Sequence, residues 1–329
     1  MARVVRFHEL GGPEVLRIEN VDTPAPASGE IQIRVKALGI NRAEALLRSG
    51  TYIQAAPLPS GLGLEAAGIV EMVGEGVDGF APGDAVSIVP PLSMARWPAY
   101  GEIATYPAEL VVKHPPSLSW EEAAAAWMQY LTAYGALIDI ANLQSEDFVV
   151  ITAASSSVGL AAIQIANMIG ATPIAVTRTS AKKRALLEFG AAHVIASAEE
   201  DLEARLKRIA GPDGVRVVFD AVGGPIFEPL TAAMARDGIL IEYGGLSPDP
   251  TPFPLPAVLA KTLTLRGYLV HEIVRDRVRL QAAKAFILDG LSSGSLKPAI
   301  ARTFPFDQIV EAHRYLESNE QFGKIVVTV

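Results

Sequence analysis

The sequence predicts an α/β protein of two domains, a β-rich domain followed by a doubly wound parallel sheet. Three observations carry this. The chain has 329 residues, more than one hydrophobic core usually organises. Its N-terminal part alternates short apolar runs with glycine and proline, as in Ile31-Gln-Ile-Arg-Val-Lys-Ala and Gly68-Ile-Val-Glu-Met-Val-Gly, which reads as a compact β domain. Beyond Pro115-Pro116, apolar strands and amphipathic helices alternate, as in a parallel sheet with crossover helices.

The elements follow in order. Ser119-Trp-Glu-Glu opens a long Ala-rich helix, with Ser119 as N-cap and Glu122 as its capping-box partner. Phe148–Thr152 is a continuous apolar strand, Val158–Ile169 a helix and Thr172–Thr177 a second strand. Ala181–Phe189 is a helix closed by Gly190, His193–Ile195 a strand, Asp201–Ile209 a helix and Val215–Asp220 a strand. A helix near Pro225–Ala235 and a strand at Gly238–Tyr243 complete the alternation. Prolines at 248, 250, 252, 254 and 256 require an extended loop. A strand at Leu263–Tyr268, helices around Arg275–Asp289 and Phe306–Ser318 and a final strand Lys324–Val329 close the chain. The predicted division is 1–122, to which 267–329 return, and 123–266.

Composition excludes several functions. The formal net charge is −8, which argues against nucleic acid or an anionic membrane surface as partner. The chain has no cysteine, hence no disulfide, no thiolate ligand and no cysteine nucleophile, and a cytoplasmic location is expected. No apolar leader opens the sequence. Phe148–Thr177 carries no charge over 30 residues. Its three serines, Gln164, Asn167 and Pro173 suit a buried strand–turn–helix–strand and not a lipid-facing helix.

That same segment is where a dinucleotide-binding fold sets its phosphate-cradling turn, with the pyrophosphate on the following helix N-terminus. A Gly-x-Gly-x-x-Gly would fall at 154, 156 and 159, where the chain has Ala154, Ser156 and Gly159. An ordinary strand-to-helix turn is the alternative. The second strand discriminates better. An NAD site ends it with an acid for the ribose 2′-hydroxyl. Here it ends Val176-Thr-Arg-Thr-Ser-Ala-Lys-Lys-Arg184, with no acid before Glu188. Thr177, Arg178 and Lys182 would attract a 2′-phosphate, so NADPH is the expected cofactor. Lys183 and Arg184 read equally as a solvated helix face.

Gly39-Ile-Asn-Arg-Ala-Glu-Ala-Leu-Leu-Arg-Ser-Gly-Thr-Tyr52 and Leu58-Pro-Ser-Gly-Leu-Gly-Leu-Glu-Ala-Ala-Gly-Ile-Val70 bear a further resemblance. Taken with Ala81-Pro-Gly-Asp-Ala-Val, the dinucleotide turn, Asp220-Ala-Val-Gly-Gly224 and the closing Phe322-Gly-Lys-Ile-Val-Val, they resemble the medium-chain dehydrogenase/reductase superfamily. The zinc-free quinone oxidoreductase branch is the nearest match, along essentially the whole chain. The resemblance implies a GroES-like catalytic domain over 1–122 and an NADPH-binding Rossmann domain over 123–266. It places Asn41 and Leu64 where zinc-dependent relatives carry metal ligands, and neither they nor the scattered histidines 8, 114, 193, 271 and 313 make a zinc site. No metal is expected. Glu65 survives from the zinc-family pattern as a lone carboxylate bracing a loop.

By the same resemblance, Asn41 and Thr132 sit beside the nicotinamide and its ribose. Tyr52 lies over the substrate, as proton donor or as pocket wall. Ser156, Ser157, Val158 and Gly159 meet the pyrophosphate, and Val222, Gly244, Gly245, Tyr268, Leu269 and Val270 flank the nicotinamide half. A second active-site tyrosine of bacterial members is Leu46 here, and Pro90–Tyr100 looks like part of the substrate wall. The expected activity is metal-independent reduction of quinones or α,β-unsaturated carbonyls by NADPH. The alternatives are an enoyl-thioester or acrylate-type reductase, and a crystallin-like nucleotide-binding protein with little turnover. A homodimer formed through a sheet edge is expected.

Overall fold

A computed structural model describes residues 1–329 as two units, Met1–Gln129 with Ala285–Val329, and Tyr130–Lys284. The first unit opens with strands β1 (Ala2–Phe7), β2 (Arg17–Val21) and β3 (Glu30–Ile40). Helix α1 (Arg42–Ser49) follows at once, with Asn41 as its N-cap. Strands β4 (Ser60–Gly61), β5 (Glu65–Val73), β6 (Ala85–Ile88), β7 (Ile103–Pro107) and β8 (Val111–Lys113) come next. The longest of these strands, β3, pairs antiparallel with both β5 and β7, and its register sets Gly39 opposite Glu65. Buried Ile31, Ile33, Val35 and Leu38 run along it, the alternation that the sequence shows.

The helix opened by Ser119 is shorter than its alanine content predicts. The capping box forms: the Glu122 N–H donates to Ser119 Oγ at 3.2 Å and the Ser119 N–H to Glu122 Oε2 at 3.0 Å. Yet α2 (Trp120–Ala124) stops, and α3 (Trp127–Tyr134) begins anew and runs into a π-helical stretch, Gly135–Ile140. The interruption has a physical cause in Glu65. Its Oε2 accepts the Met128 N–H at 2.9 Å, so a carboxylate from β5 captures a fresh helix N-terminus.

The second unit is the alternating part. It contains β9 (Phe148–Ile151), α4 (Ser157–Ile169), β10 (Thr172–Thr177), α5 (Lys183–Glu188), β11 (His193–Ala196), α6 (Leu202–Ala210) and β12 (Val215–Asp220). Then come α7 (Phe227–Ala232), β13 (Met234–Glu242), α8 (Leu255–Lys261), β14 (Thr264–Gly267), α9 (His271–Arg275) and most of α10 (Arg277–Ser293). All five neighbouring strand pairs are parallel, in the order β11-β10-β9-β12-β13-β14. That order is the one a Rossmann sheet takes. The uncharged segment thus forms β9–α4–β10, and no helix is long and apolar enough to cross a membrane. The proline-rich loop ends two residues earlier than predicted, at Pro254. Pro256 lies in the first turn of α8, where its missing N–H leaves no bond unmade.

The chain then re-enters the first unit with β15 (Ile300–Pro305), α11 (Ile309–Ser318) and β16 (Lys324–Thr328). β16 inserts between β15 and β3, completing a seven-stranded sheet. Its pairing sets Val326 against Gly39 and Ile325 against Ile40. Three adjacent strands therefore deliver Gly39, Glu65 and the start of β16 to one place.

Candidate active site

In the first unit those strands build a buried polar cluster around Asn41. Lys324 Nζ donates to Asn41 Oδ1 at 2.6 Å and is ion-paired with Glu65, both side chains being 1% exposed. An ammonium can only donate, so it fixes the carboxamide orientation: Oδ1 faces Lys324 and Nδ2 faces the acids. Nδ2 reaches Glu65 Oε1 at 3.2 Å and Glu44 Oε1 at 3.3 Å. The cluster also dictates Gly39. A Cβ there would sit 2.8 Å from both Lys324 Cε and Glu65 Oε1 and 2.5 Å from the Ala124 carbonyl oxygen.

Glu44 is the second buried acid. Its Oε2 accepts the Asn41 N–H at 2.6 Å and the Tyr100 hydroxyl, and its Oε1 accepts the Leu64 N–H at 2.9 Å. Burial raises its pKa to about 7 against these donors. Tyr100 is therefore a core residue bonded to Glu44 and packed edge-on against His313, not an exposed part of a substrate wall. Burial, with Arg48 and Arg42 adding to it, lowers His313 to about 3, so it is a neutral core imidazole. Tyr52 is half-buried after α1, and burial and then Glu44 push its phenol above the usual tyrosine value. That favours a hydrogen-bond donor over a ready proton source.

Nothing in this cluster suits zinc. Asn41 is committed to Lys324 and the two acids, and Leu64 is a buried aliphatic side chain. A fixed ammonium already occupies the place a cation would compete for. No three His, Asp or Glu side chains converge to hold a metal ion.

In the second unit, parallel register brings the carboxyl ends of the strands together. Thr152 Oγ1 donates to Asp220 Oδ1 at 2.5 Å and accepts the Ala221 N–H at 2.9 Å. Asp220 also accepts the Val222 N–H at 2.9 Å and the Gly223 N–H at 3.1 Å, shaping the turn after β12. The Leu246 and Ser247 amides donate to the Ala221 and Val222 carbonyls, and Gly244 lies against Ala221 while Gly245 stands in open space.

The turn after β9 works without the missing glycines. Ala153 takes the left-handed conformation, φ 45°, and Ser156 caps α4 by accepting the Gly159 N–H on Oγ at 3.1 Å. Gly159 is required, since a Cβ would lie 2.7 Å from Ala154 Cα. Ser157 and Val158 open α4, where backbone N–H groups lack intrahelical acceptors. A turn of this shape, with two free helix-terminal amides, fits a pyrophosphate.

At the end of β10, Lys182 Nζ donates to Ser155 Oγ at 3.3 Å, bringing a cation to the dinucleotide turn. Arg178 is exposed and takes part in no salt bridge, whereas Lys183 pairs with Glu200 and Arg184 with Glu188. Glu199 accepts the Ser180 N–H at 3.0 Å, an acid at this edge that the sequence did not reveal. Thr132 is buried in α3, Tyr268 is buried with its hydroxyl 3.5 Å from the Leu131 carbonyl, Val270 is buried and Leu269 is exposed.

Sequence reasoning missed Glu44, Lys324 and Glu242. The spacing Asn41-x-x-Glu44 is a capping-box signal that was available. The other two carry no local signal, because Lys324 heads an apolar strand and Glu242 ends one. Glu65 is not lone but half of an ion pair. Glu242 aligns with Asp220 across β12 and β13, and both of its carboxyl oxygens are buried with no hydrogen-bond partner. Burial, and then the neighbouring Asp220, raise its pKa from 4.5 to about 9.

Between those values the folded chain holds a proton that the unfolded chain releases, so this group lowers stability as pH rises from 4.5 to about 9. Glu242→Gln is therefore expected to raise Tm by a margin that widens from about pH 5 to about pH 9 and then levels off. Thermal melts across that range check it; a margin that does not change with pH would contradict the buried, protonated acid.

Comparison with known proteins matches these two constructions to two families. Residues 27–116 match the alcohol dehydrogenase GroES-like domain, and residues 157–286 the zinc-binding dehydrogenase family. Quinone oxidoreductase 1 of Escherichia coli is 35% identical over 326 residues, 98% of each chain. The crystal structure of an E. coli quinone oxidoreductase complexed with NADPH superposes with a TM-score of 0.91 at 34% identity, covering all of both chains. An NAD-dependent alcohol dehydrogenase structure follows at a TM-score of 0.88 and 32% identity, covering 99% of both. The chain belongs to the quinone oxidoreductase branch of the medium-chain dehydrogenase/reductase superfamily.

Proposed function

We propose that this protein is an NADPH-dependent, metal-independent reductase of quinones or α,β-unsaturated carbonyls, acting in the cytoplasm. The observation that carries the reading is the end of β10, where Arg178 is exposed without an acidic partner and Lys182 leans onto the dinucleotide turn. A 2′-phosphate is attracted there, and β10 ends without the acid that an NAD site sets at that place, the nearby Glu199 being bonded to the Ser180 N–H. This separates the chain from an NAD-dependent alcohol dehydrogenase, as does the absence of a zinc-binding donor set.

In this reading Ser156, Ser157, Val158 and Gly159 receive the pyrophosphate, and Thr177, Arg178 and Lys182 the 2′-phosphate. Val222, Gly244, Gly245, Tyr268, Leu269 and Val270 border the nicotinamide half, with Asn41 and Thr132 beside its ribose. Bound NADPH supplies the hydride, and the acceptor takes up that hydride and one proton. Quinones and enones suit a site without a Lewis acid, because hydride addition leaves a delocalised anion that hydrogen-bond donors can hold. Tyr52, kept protonated by burial and Glu44, is the donor proposed for the acceptor oxygen.

The test is the loss of NADPH absorbance with 1,4-benzoquinone and with a simple enone, alongside cofactor affinities. Oxidation of NADPH by at least one acceptor is expected, and Arg178→Ala with Lys182→Ala should weaken NADPH about tenfold or more while sparing NADH. Tight NADPH binding without turnover would replace the enzyme by a nucleotide-binding protein, and equal loss of both cofactors would remove the 2′-phosphate assignment.

The homodimer is proposed on a separate observation. β14 is an outermost strand of its sheet, and the segment before it exposes Phe253, Leu255 and Leu259. An open edge beside apolar side chains invites pairing. Light scattering should give twice the chain mass, and a monomer would contradict the proposal.

A further inference from the structure

Asn41 has almost no hydrogen-bonding capacity left to offer a ligand. A carboxamide has two N–H donors and two acceptor lone pairs. Both donors lie against fixed acceptors: Glu65 Oε1 at 3.2 Å, Glu44 Oε1 at 3.3 Å and the Gly39 carbonyl at 3.3 Å. One lone pair of Oδ1 is taken by Lys324 at 2.6 Å. What remains is one lone pair on Oδ1.

The constraint comes from elements distant in sequence. Lys324 begins β16, Glu65 begins β5 and Glu44 lies in the first turn of α1. The Lys324 ammonium has no aqueous alternative, being 1% exposed and ion-paired to a carboxylate that also holds the Met128 N–H. Its removal would strand Glu65 as an uncompensated buried charge. Oδ1 would lose its donor, and with it the contact that tells the two ends of the carboxamide apart.

We propose that Lys324 is a positioning residue that locks the Asn41 carboxamide so that Asn41 serves as a hydrogen-bond acceptor for a cofactor hydroxyl, and not as a donor to the oxygen of the reduced acceptor. This rests on the reading of Asn41 as a cofactor-contacting residue. Stabilisation of the acceptor oxygen must then come from another group, which leaves that task to Tyr52.

The experiment measures NADPH affinity by calorimetry, without turnover, for Lys324→Met, Lys324→Arg, Asn41→Ala and the Lys324→Met/Asn41→Ala pair. Lys324→Met should weaken NADPH by about tenfold, as the loss of a buried charge-assisted contact does. Lys324→Arg should restore most of that affinity, and Lys324→Met should add nothing once Asn41 is alanine, since the lysine acts through the asparagine. For Lys324→Met at saturating NADPH, kcat and the KM for 1,4-benzoquinone should stay within about threefold, the signature of a cofactor-side effect.

Should Lys324→Met fold poorly, Lys324→Met with Glu65→Gln leaves no unpaired buried charge and should show the same loss of affinity. If Asn41→Ala binds NADPH as tightly as the parent, the underlying reading of Asn41 is wrong. If Asn41→Ala weakens binding but folded Lys324→Met does not, the positioning role alone is overturned. A fall in kcat at unchanged NADPH affinity would overturn it as well, by making Asn41 a donor to the acceptor.

Discussion

The ion pair between Lys324 and Glu65 is the interaction on which the first unit's site depends. Taking both charges out of water costs several kcal/mol per ion, and their attraction offsets that only with close geometry and further hydrogen bonds. Both conditions hold, because Asn41 and the Met128 N–H satisfy the remaining valences. The pair therefore demands its surroundings. β3, β5 and β16 must keep register, residue 39 must lack a side chain, and a helix must begin at Trp127.

The second unit uses a different constraint. Parallel strands end at one level, so the residues that follow them meet without long loops. Asp220 accepts from Thr152 and the turn amides, whereas Glu242 across the strand pair has no comparable set of donors. Asp220 is held by donors, while burial and then Asp220 raise the pKa of Glu242 beside it. The serine-substituted turn shows similar economy. Ser156 Oγ caps α4, while the left-handed position falls on Ala153 and the close approach on Gly159.

The parallel sheet was legible because its inner strands β9, β10 and β12 are largely buried apolar runs bounded by turns, and Ser119 and Glu122 formed the predicted capping box. The break between α2 and α3 was not legible. Nothing in Trp120–Tyr134 says that a carboxylate from β5 will capture the Met128 amide. Nor could periodicity mark Lys324 as buried, since a lysine at the head of an apolar strand normally reaches solvent. Tyr100 misled for the same reason, as its partner Glu44 lies far off in sequence. The cationic end of β10 was read from local charge alone, and the structure sorts it: Lys183 and Arg184 pair with acids, while Arg178 does not.

The central claim is direct hydride transfer from NADPH at a site that uses no metal. NADPH carrying deuterium at the transferring C4 position, supplied with a simple enone in the presence of a chelator, tests it most directly. The account predicts a product with one deuterium on its β-carbon, formed at the rate seen without chelator. NADPH oxidation that leaves no deuterium in the product, or activity that the chelator abolishes and zinc restores, would contradict it.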